Sequence, residues 1–371
     1  MQTLLYITYS NFNKVSSGSS VRPYKLYQAF KNLSLSIILI SGQEDRNLQI
    51  NKVIDGFKEK KPDFCYIEPP SEMIFSKQDW KLFKTLNKLK VPTSFFFRDF
   101  FYKFPINMFY AELSGLSKIK IRIKQQIQKI TEKRLAKYIN IFYFPSLEAA
   151  KIFKYPNKKV LPPAGETLFQ RSKQSNFCTL KKDTVPKAIY VGGISKGYGT
   201  DLLINTFKQL NQDEILCKLI FVCRKAEFEN STLKDHNFPW LNIIHAQGDD
   251  LVNYYQMSDI ALLPINSKDP YHNKAVSVKL FEYMSYALPI VSTPTVSMAK
   301  IIKHYDIGFV TNSNSEQEFG QAILKIITDS KMYLKFQRNI ISAIVKENLW
   351  IHRAEQIIHD LNNILHKFNK D

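Results

Sequence analysis

Short apolar runs alternate with stretches of helical spacing along most of the chain. Leu4–Thr8, Ser36–Ile40, Asp63–Ile67 and Thr93–Phe97 are compact and rich in β-branched or aromatic residues, and they predict strands. Val21 to Phe30 and Trp80 to Leu89 carry the spacing of helices between them, and Ile139–Phe144 predicts a fifth strand. Strands without a polar face, alternating with helices, predict a parallel sheet covered on both sides. The pattern lapses over Phe169–Lys187, which is polar and aperiodic, and then resumes. Ala188–Val191, Lys218–Cys223, Leu241–His245, Asp259–Ile265 and Pro289–Thr293 predict strands, and Thr200–Leu210, Leu251–Met257 and a short segment through Lys279 and Glu282 predict helices. Ile301–Ile307 and Glu316–Ile327 continue the alternation, and Met332–Ile364 predicts two closing helices, the second seeded by Trp350. The expected architecture is α/β with two domains: residues 1–165, a linker over 166–187, a second domain over 188–345, and a terminal helix over 346–371.

Composition narrows the classes. A chain of 371 residues with 44% hydrophobic and 13% aromatic residues has ample material for two cores, which excludes chain-wide disorder. The formal charge of +19, from 52 Lys and Arg against 33 Asp and Glu, suits nucleic acid, an anionic membrane surface or a phosphate-bearing substrate; a general compositional bias accounts for it equally well. The basic residues are not interleaved with a recognition motif, so no nucleic-acid partner is expected. Cys65, Cys178, Cys217 and Cys223 form no C-x-x-C pair, which suits a reducing compartment. The first apolar run has no basic region before it, and no stretch is apolar enough to span a bilayer, so a cytoplasmic protein is expected, peripheral on the inner membrane face if it meets lipid.

Candidate chemistry sits where strands end. The polar loop Ser10–Ser20 brings Gly18 to a helix start, where amides either face an anion or form a structural turn. Glu68 ends one strand, and Arg98 and Asp99 follow another; Asp99 is either a base held ionised by Arg98 or half of an ordinary surface pair. Gly192–Gly199 holds four glycines in eight residues, with Lys196 as a point charge and Gly193 permitting close approach of a phosphate. Arg224 follows the next strand. His245 is more often a packed histidine than a catalytic one, and no second histidine stands at a metal-ligand spacing, so no metal site is expected. Glu282 suits a sugar diol and Lys279 a phosphate, although the two also read as an i,i+3 ion pair. In Leu116–Ile139, the residues Leu116, Ile119, Ile123, Ile127 and Ile130 recur at helical spacing among many cations; this helix either lies on an anionic leaflet or packs its apolar edge on its own domain.

Gly192–Gly199, Asp259–Pro264 and above all Glu282–Val291 resemble, in order and spacing, the donor-binding half of the large retaining glycosyltransferase family 4, over roughly residues 187 to 310. The resemblance implies a GT-B fold of two facing Rossmann-like domains with a cleft between them. It also implies a hexosyltransferase-like enzyme acting on a nucleoside diphosphate sugar, with uridine expected, and a saccharide or lipid-linked saccharide acceptor. Glu282 would then accept from the ribose hydroxyls, Lys196 would face the diphosphate with Arg224 and Lys279 as further cations, and the backbone near His245 would flank the base. Asp99 would be the base of an inverting reaction or would orient the acceptor in a retaining one. The donor is a substrate, and no cofactor or metal is expected. Two departures stand out: the family's first glutamate falls on Lys274, and its arginine after the first glycine falls on Gly193. The nearest variants resembled are glucuronosyltransferase-like enzymes of capsular or exopolysaccharide synthesis. A sugar-nucleotide epimerase of the same fold is the alternative, and a basic nucleic-acid-binding protein a more distant one.

Overall fold

A computed structural model describes residues 1–12, 18–106, 115–168 and 184–370. The chain divides into two compact units, Met1–Pro162 with Trp350–Asp371, and Pro163–Leu349. Most of the expected linker, with Cys178, and part of the Ser10–Ser20 loop lie outside the described residues.

The first unit is a six-stranded parallel sheet with β1 (Gln2–Thr8), β2 (Leu35–Ile40), β3 (Phe64–Glu68), β4 (Thr93–Phe96), β5 (Ile141–Phe144) and β6 (Lys158–Val160) in the order β2-β1-β3-β4-β5-β6. Every residue of β3, β4 and β5 is buried, which is why they read as unbroken apolar runs. Aromatic rings pack on both sides of the sheet: Phe97 lies 4.5 Å from Phe153 and 5.1 Å from Phe144 between centroids on one, and Tyr6 lies 5.7 Å from Tyr66 on the other. Helix Lys77–Lys88 starts in a capping box of Ser76 and Asp79. The last helix, Trp350–Phe368, belongs to this unit. Its buried Asp360 accepts from Tyr143 Oη at 2.8 Å and pairs with Lys159, and Arg353 Nε donates to Pro162 O at 3.1 Å.

The second unit repeats the plan with β7 (Lys187–Val191), β8 (Lys218–Val222), β9 (Leu241–Ile244), β10 (Ile260–Leu263), β11 (Ile290–Ser292) and β12 (Gly308–Val310), ordered β12-β11-β10-β7-β8-β9 and again wholly parallel. One face of the sheet packs on Leu280, Phe281, Tyr283 and Met284, the other on Leu203, Phe207, Phe319 and Ile323. Each unit is thus a Rossmann-like layer structure, and the pair has the composition of the GT-B architecture.

Several elements carried no expectation. Helix Arg46–Gly56 buries only Arg46 and Ile50, so it has almost no apolar stripe to read. Strands β6 and β12 are three residues each, and β6 exposes its first lysine. Among the described residues no helix is long and apolar enough to cross a membrane.

Candidate functional site

In the second unit the chain leaves β7 toward β8 on one side and returns on the other at β10, so β7 and β10 flank the point where strand order reverses. Open parallel sheets bind ligands beyond the carboxyl ends of strands at such a point. The glycine-rich turn follows β7 there and is held on several sides. Gly199 has φ of +75°, and a Cβ on it would fall 1.9 Å from Pro264 O, so only glycine lets the turn lie against the end of β10. Tyr190 Oη donates to Gly193 O at 2.8 Å, Ser195 Oγ accepts from Tyr198 N, and Glu227 Oε2 accepts from Ile194 N at 3.1 Å.

Helix Val278–Ser285 stands beside this turn. Ser277 Oγ caps it by accepting from Lys279 N at 3.2 Å, and its inner face buries Leu280, Phe281, Tyr283 and Met284. Tyr283 Oη accepts from Val191 N at 3.0 Å, which ties the helix to the last residue before Gly192. On its outer face Lys279 Nζ lies 2.6 Å from Glu282 Oε2, with the two side chains 24% and 22% exposed. Tyr255 Oη donates to the same oxygen at 2.8 Å. Burial, and then the Glu282 charge, push the Tyr255 phenol well above its ordinary range, so it remains a neutral donor.

The other expected residues take places along the same sheet edge. Lys196 is exposed in the glycine turn. Arg224 follows β8, is 76% exposed, and lies 3.1 Å from Glu227 Oε1, so Glu227 links it to the turn near Gly193. His245 follows β9 and is exposed, with Nδ1 3.2 Å from Cys223 O and its ring 5.2 Å from Phe228. Lys274, at the position of the missing carboxylate, sends Nζ to Pro270 O at 3.1 Å. Asn273 beside it accepts from Val296 N at 3.0 Å and joins that loop to the start of helix Val296–Tyr305. His272 packs against Gly197 and lies 3.1 Å from Asp269 Oδ2; burial lowers its pKa, with Asp269 opposing. Tyr255 and Glu227 carried no sequence expectation, since their partners are distant in the chain or sit in the turn, and neither did the local pair of Asp269 and His272.

Gly18 and Asp99 belong to the other unit. Gly18 opens helix Gly18–Lys31, which follows β1. There the reversal of strand order falls between β1 and β3, whose ends pair Thr8 with Glu68. Glu68, 1% exposed, lies 3.0 Å from Arg22 Nε and accepts from Tyr66 Oη at 2.6 Å. Asp99 follows β4 and its Oδ2 lies 3.9 Å from Arg98 Nε, both side chains partly exposed. No group of three or more His, Cys, Asp or Glu among the described residues is arranged to hold a metal ion.

The family model described as Glycosyl transferases group 1 matches residues 172–343. No curated protein matches the chain. Among solved structures, sucrose-phosphate synthase from Thermosynechococcus elongatus superposes with a TM-score of 0.67 at 11% identity, covering 99% of this chain and 100% of that one. Anabaena HepE in complex with UDP-glucose gives 0.62 at 13% identity over 98% and 100%. WaaG, a glycosyltransferase involved in lipopolysaccharide biosynthesis, gives 0.59 at 15% identity over 95% and 98%. The chain has the GT-B fold from end to end, and with the match of its second unit this supports glycosyltransferase activity of the GT-B type on a nucleotide-sugar donor.

Proposed function

We propose that the protein transfers a hexosyl group from a uridine diphosphate sugar to a hydroxyl of a saccharide acceptor in cell-surface glycan synthesis. The observation that carries this reading is the convergence of Lys279 and Tyr255 on one oxygen of Glu282, beside a glycine turn at the strand reversal of the second unit. Glu282 Oε1 makes no hydrogen bond among the described residues and is the oxygen for a ribose hydroxyl. Lys196 and the amides of the turn face the diphosphate, and Lys279 and Arg224 add positive charge. The UDP-glucose complex of the similar HepE supports a uridine donor, and the pathway named for WaaG supports a cell-surface acceptor.

In the reaction the acceptor oxygen bonds to the anomeric carbon as that carbon's bond to the diphosphate breaks, and nucleoside diphosphate leaves. If configuration inverts, the acceptor proton passes to Asp99. If it is retained, a leaving phosphate oxygen takes the proton and Asp99 orients the acceptor. Thermal-shift and calorimetric titration against a panel of nucleoside diphosphates and their sugars, followed by acceptor trials with the tightest donor, test the proposal. Stabilisation by a uridine diphosphate sugar and acceptor-dependent release of UDP are expected. No binding at millimolar donor would overturn it, and acceptor-independent interconversion of the sugar would replace it with an epimerase.

A further inference from the structure

Helix Gly115–Leu135 turns its main apolar stripe outward. Leu116, Ile119, Ile123, Ile127 and Ile130 are 77%, 51%, 56%, 42% and 66% exposed. At 100° per residue they fall within an arc of about 80°, a continuous stripe roughly 21 Å long. The face that packs on the protein is mostly polar. Gln128 and Thr131 are buried there with Leu135 at the helix end, Gln125 Nε2 donates to Phe104 O at 3.2 Å, and Tyr155 Oη donates to Glu132 O at 3.0 Å. The Glu132 carboxylate takes bonds from Tyr102 Oη at 2.9 Å and Lys103 Nζ at 2.7 Å. The single acidic side chain between Lys118 and Lys137 is therefore spent on the packed side, against eight Lys and Arg in the same span.

We propose that this helix docks the protein on an anionic lipid bilayer, with the isoleucine stripe lying among the acyl chains. The charge pattern selects this occupant. Lys120 and Lys124 border the stripe on one side, Arg122, Lys129 and Lys133 on the other, and all five are exposed. Such side chains lay their stems along the apolar layer and place their charges among anionic headgroups. A second copy seated on the stripe would bring these like-charged borders together without a counter-charge. Lys124 also lies 2.6 Å from Glu72, which borders a cavity of about 910 Å³ that Tyr9, Arg46 and Asp79 help to line. The docked face therefore adjoins a cavity at the end of the first unit's sheet, a position suited to an acceptor carried on a lipid. The docking claim itself does not depend on the transfer reaction.

The full chain is mixed with vesicles of phosphatidylcholine, with and without phosphatidylglycerol, and floated on a density gradient, with uridine diphosphate sugar binding measured on the same preparations. Flotation with phosphatidylglycerol vesicles alone, weakened by salt, is expected. Ile123→Ser with Ile127→Ser should lower partitioning by about tenfold or more and leave donor binding unchanged. Lys120→Gln, Lys129→Gln and Lys133→Gln together should lower it on anionic vesicles by a similar factor. An Ile123→Trp reporter, whose emission should shift to the blue only with anionic vesicles, reads the contact without removing it. Absence of flotation, equal flotation of the serine variant, or a concentration-dependent dimer in sedimentation that the serine variant abolishes would each overturn the proposal, the last in favour of a second copy.

Discussion

Tyr255 donates its phenolic hydrogen to Glu282 Oε2 across 2.8 Å. Lys279 Nζ meets the same oxygen at 2.6 Å, so two donors hold Oε2 while Oε1 has no hydrogen-bond partner among the described residues. An isolated i,i+3 pair on a helix contributes only a few tenths of a kcal/mol and orders little. A buried neutral donor arriving from an element 27 residues away is what turns that pair into an oriented acceptor.

Glu282→Gln keeps the shape of the side chain and removes its charge. A hydrogen bond to a charged group contributes about 1.5–3 kcal/mol, so donor affinity should fall about tenfold to a hundredfold. Tyr255→Phe leaves the charge and loosens its orientation, and a drop of about threefold to tenfold is expected. Isothermal titration with UDP and UDP-sugars reads both, and unchanged affinity for Glu282→Gln would remove that residue from the site.

Asp99→Asn tests the first unit separately. Donor affinity should remain within about twofold of the parent while transfer falls by about a hundredfold, the usual share of a positioned base. Normal turnover would show that Arg98 and Asp99 are only a surface pair.

Gly199 and Gly248 both have positive φ, +75° and +60°, but differ in their surroundings. A Cβ on Gly248 meets nothing within 4 Å, and alanine there should cost about 1 kcal/mol for the left-handed backbone alone. A Cβ on Gly199 overlaps Pro264 O, so alanine must move either the turn or the end of β10 and should cost more than about 3 kcal/mol. Chemical denaturation of the two variants measures the difference.

Arg22 and Glu68 form an ion pair whose side chains are 5% and 1% exposed. The Arg22 guanidinium stacks 3.6 Å from the centre of Phe96, and Tyr66 Oη donates to the carboxylate at 2.6 Å. Removing one partner leaves an uncompensated buried charge. Arg22→Met or Glu68→Gln should each cost about 3–5 kcal/mol, and the double variant distinctly less than the sum. Additive losses in a double-mutant cycle would mean the two charges are not coupled.

The layer structure was legible because buried parallel strands such as β3 and β5 read as apolar runs whatever packs on them. Arg46 shows where legibility stops. It starts a helix with almost no apolar stripe, yet it is buried, 3.0 Å from Asp79, with its guanidinium 3.5 Å over the Tyr9 ring. A charged residue paired from a distant helix leaves no periodic trace. The site was legible to the same extent. Lys279 and Glu282 are one turn apart and could be read together, whereas Tyr255 and Glu227 gain their roles only once β7, β8 and β10 lie side by side. For the helix Gly115–Leu135 periodicity located the apolar stripe but not its direction, because spacing is the same for a stripe turned inward or outward.

His272 gives the site a dependence on pH. Burial lowers its pKa below the ordinary histidine value, and the Asp269 carboxylate 3.1 Å away only partly offsets this. The unfolded chain therefore takes up a proton at His272 at a higher pH than the folded one does. As pH falls below about 6.5, the unfolded state is favoured progressively until the folded pKa is passed, and above that window the residue has no such effect. Since His272 packs against Gly197, the loss should be felt first in the glycine turn. His272→Gln should flatten the stability profile between neutral and mildly acid pH, and donor binding should lose less of its strength on acidification than in the parent. Melting curves across that range, with and without UDP, measure both, and parallel profiles for variant and parent would show that the acid sensitivity comes from elsewhere.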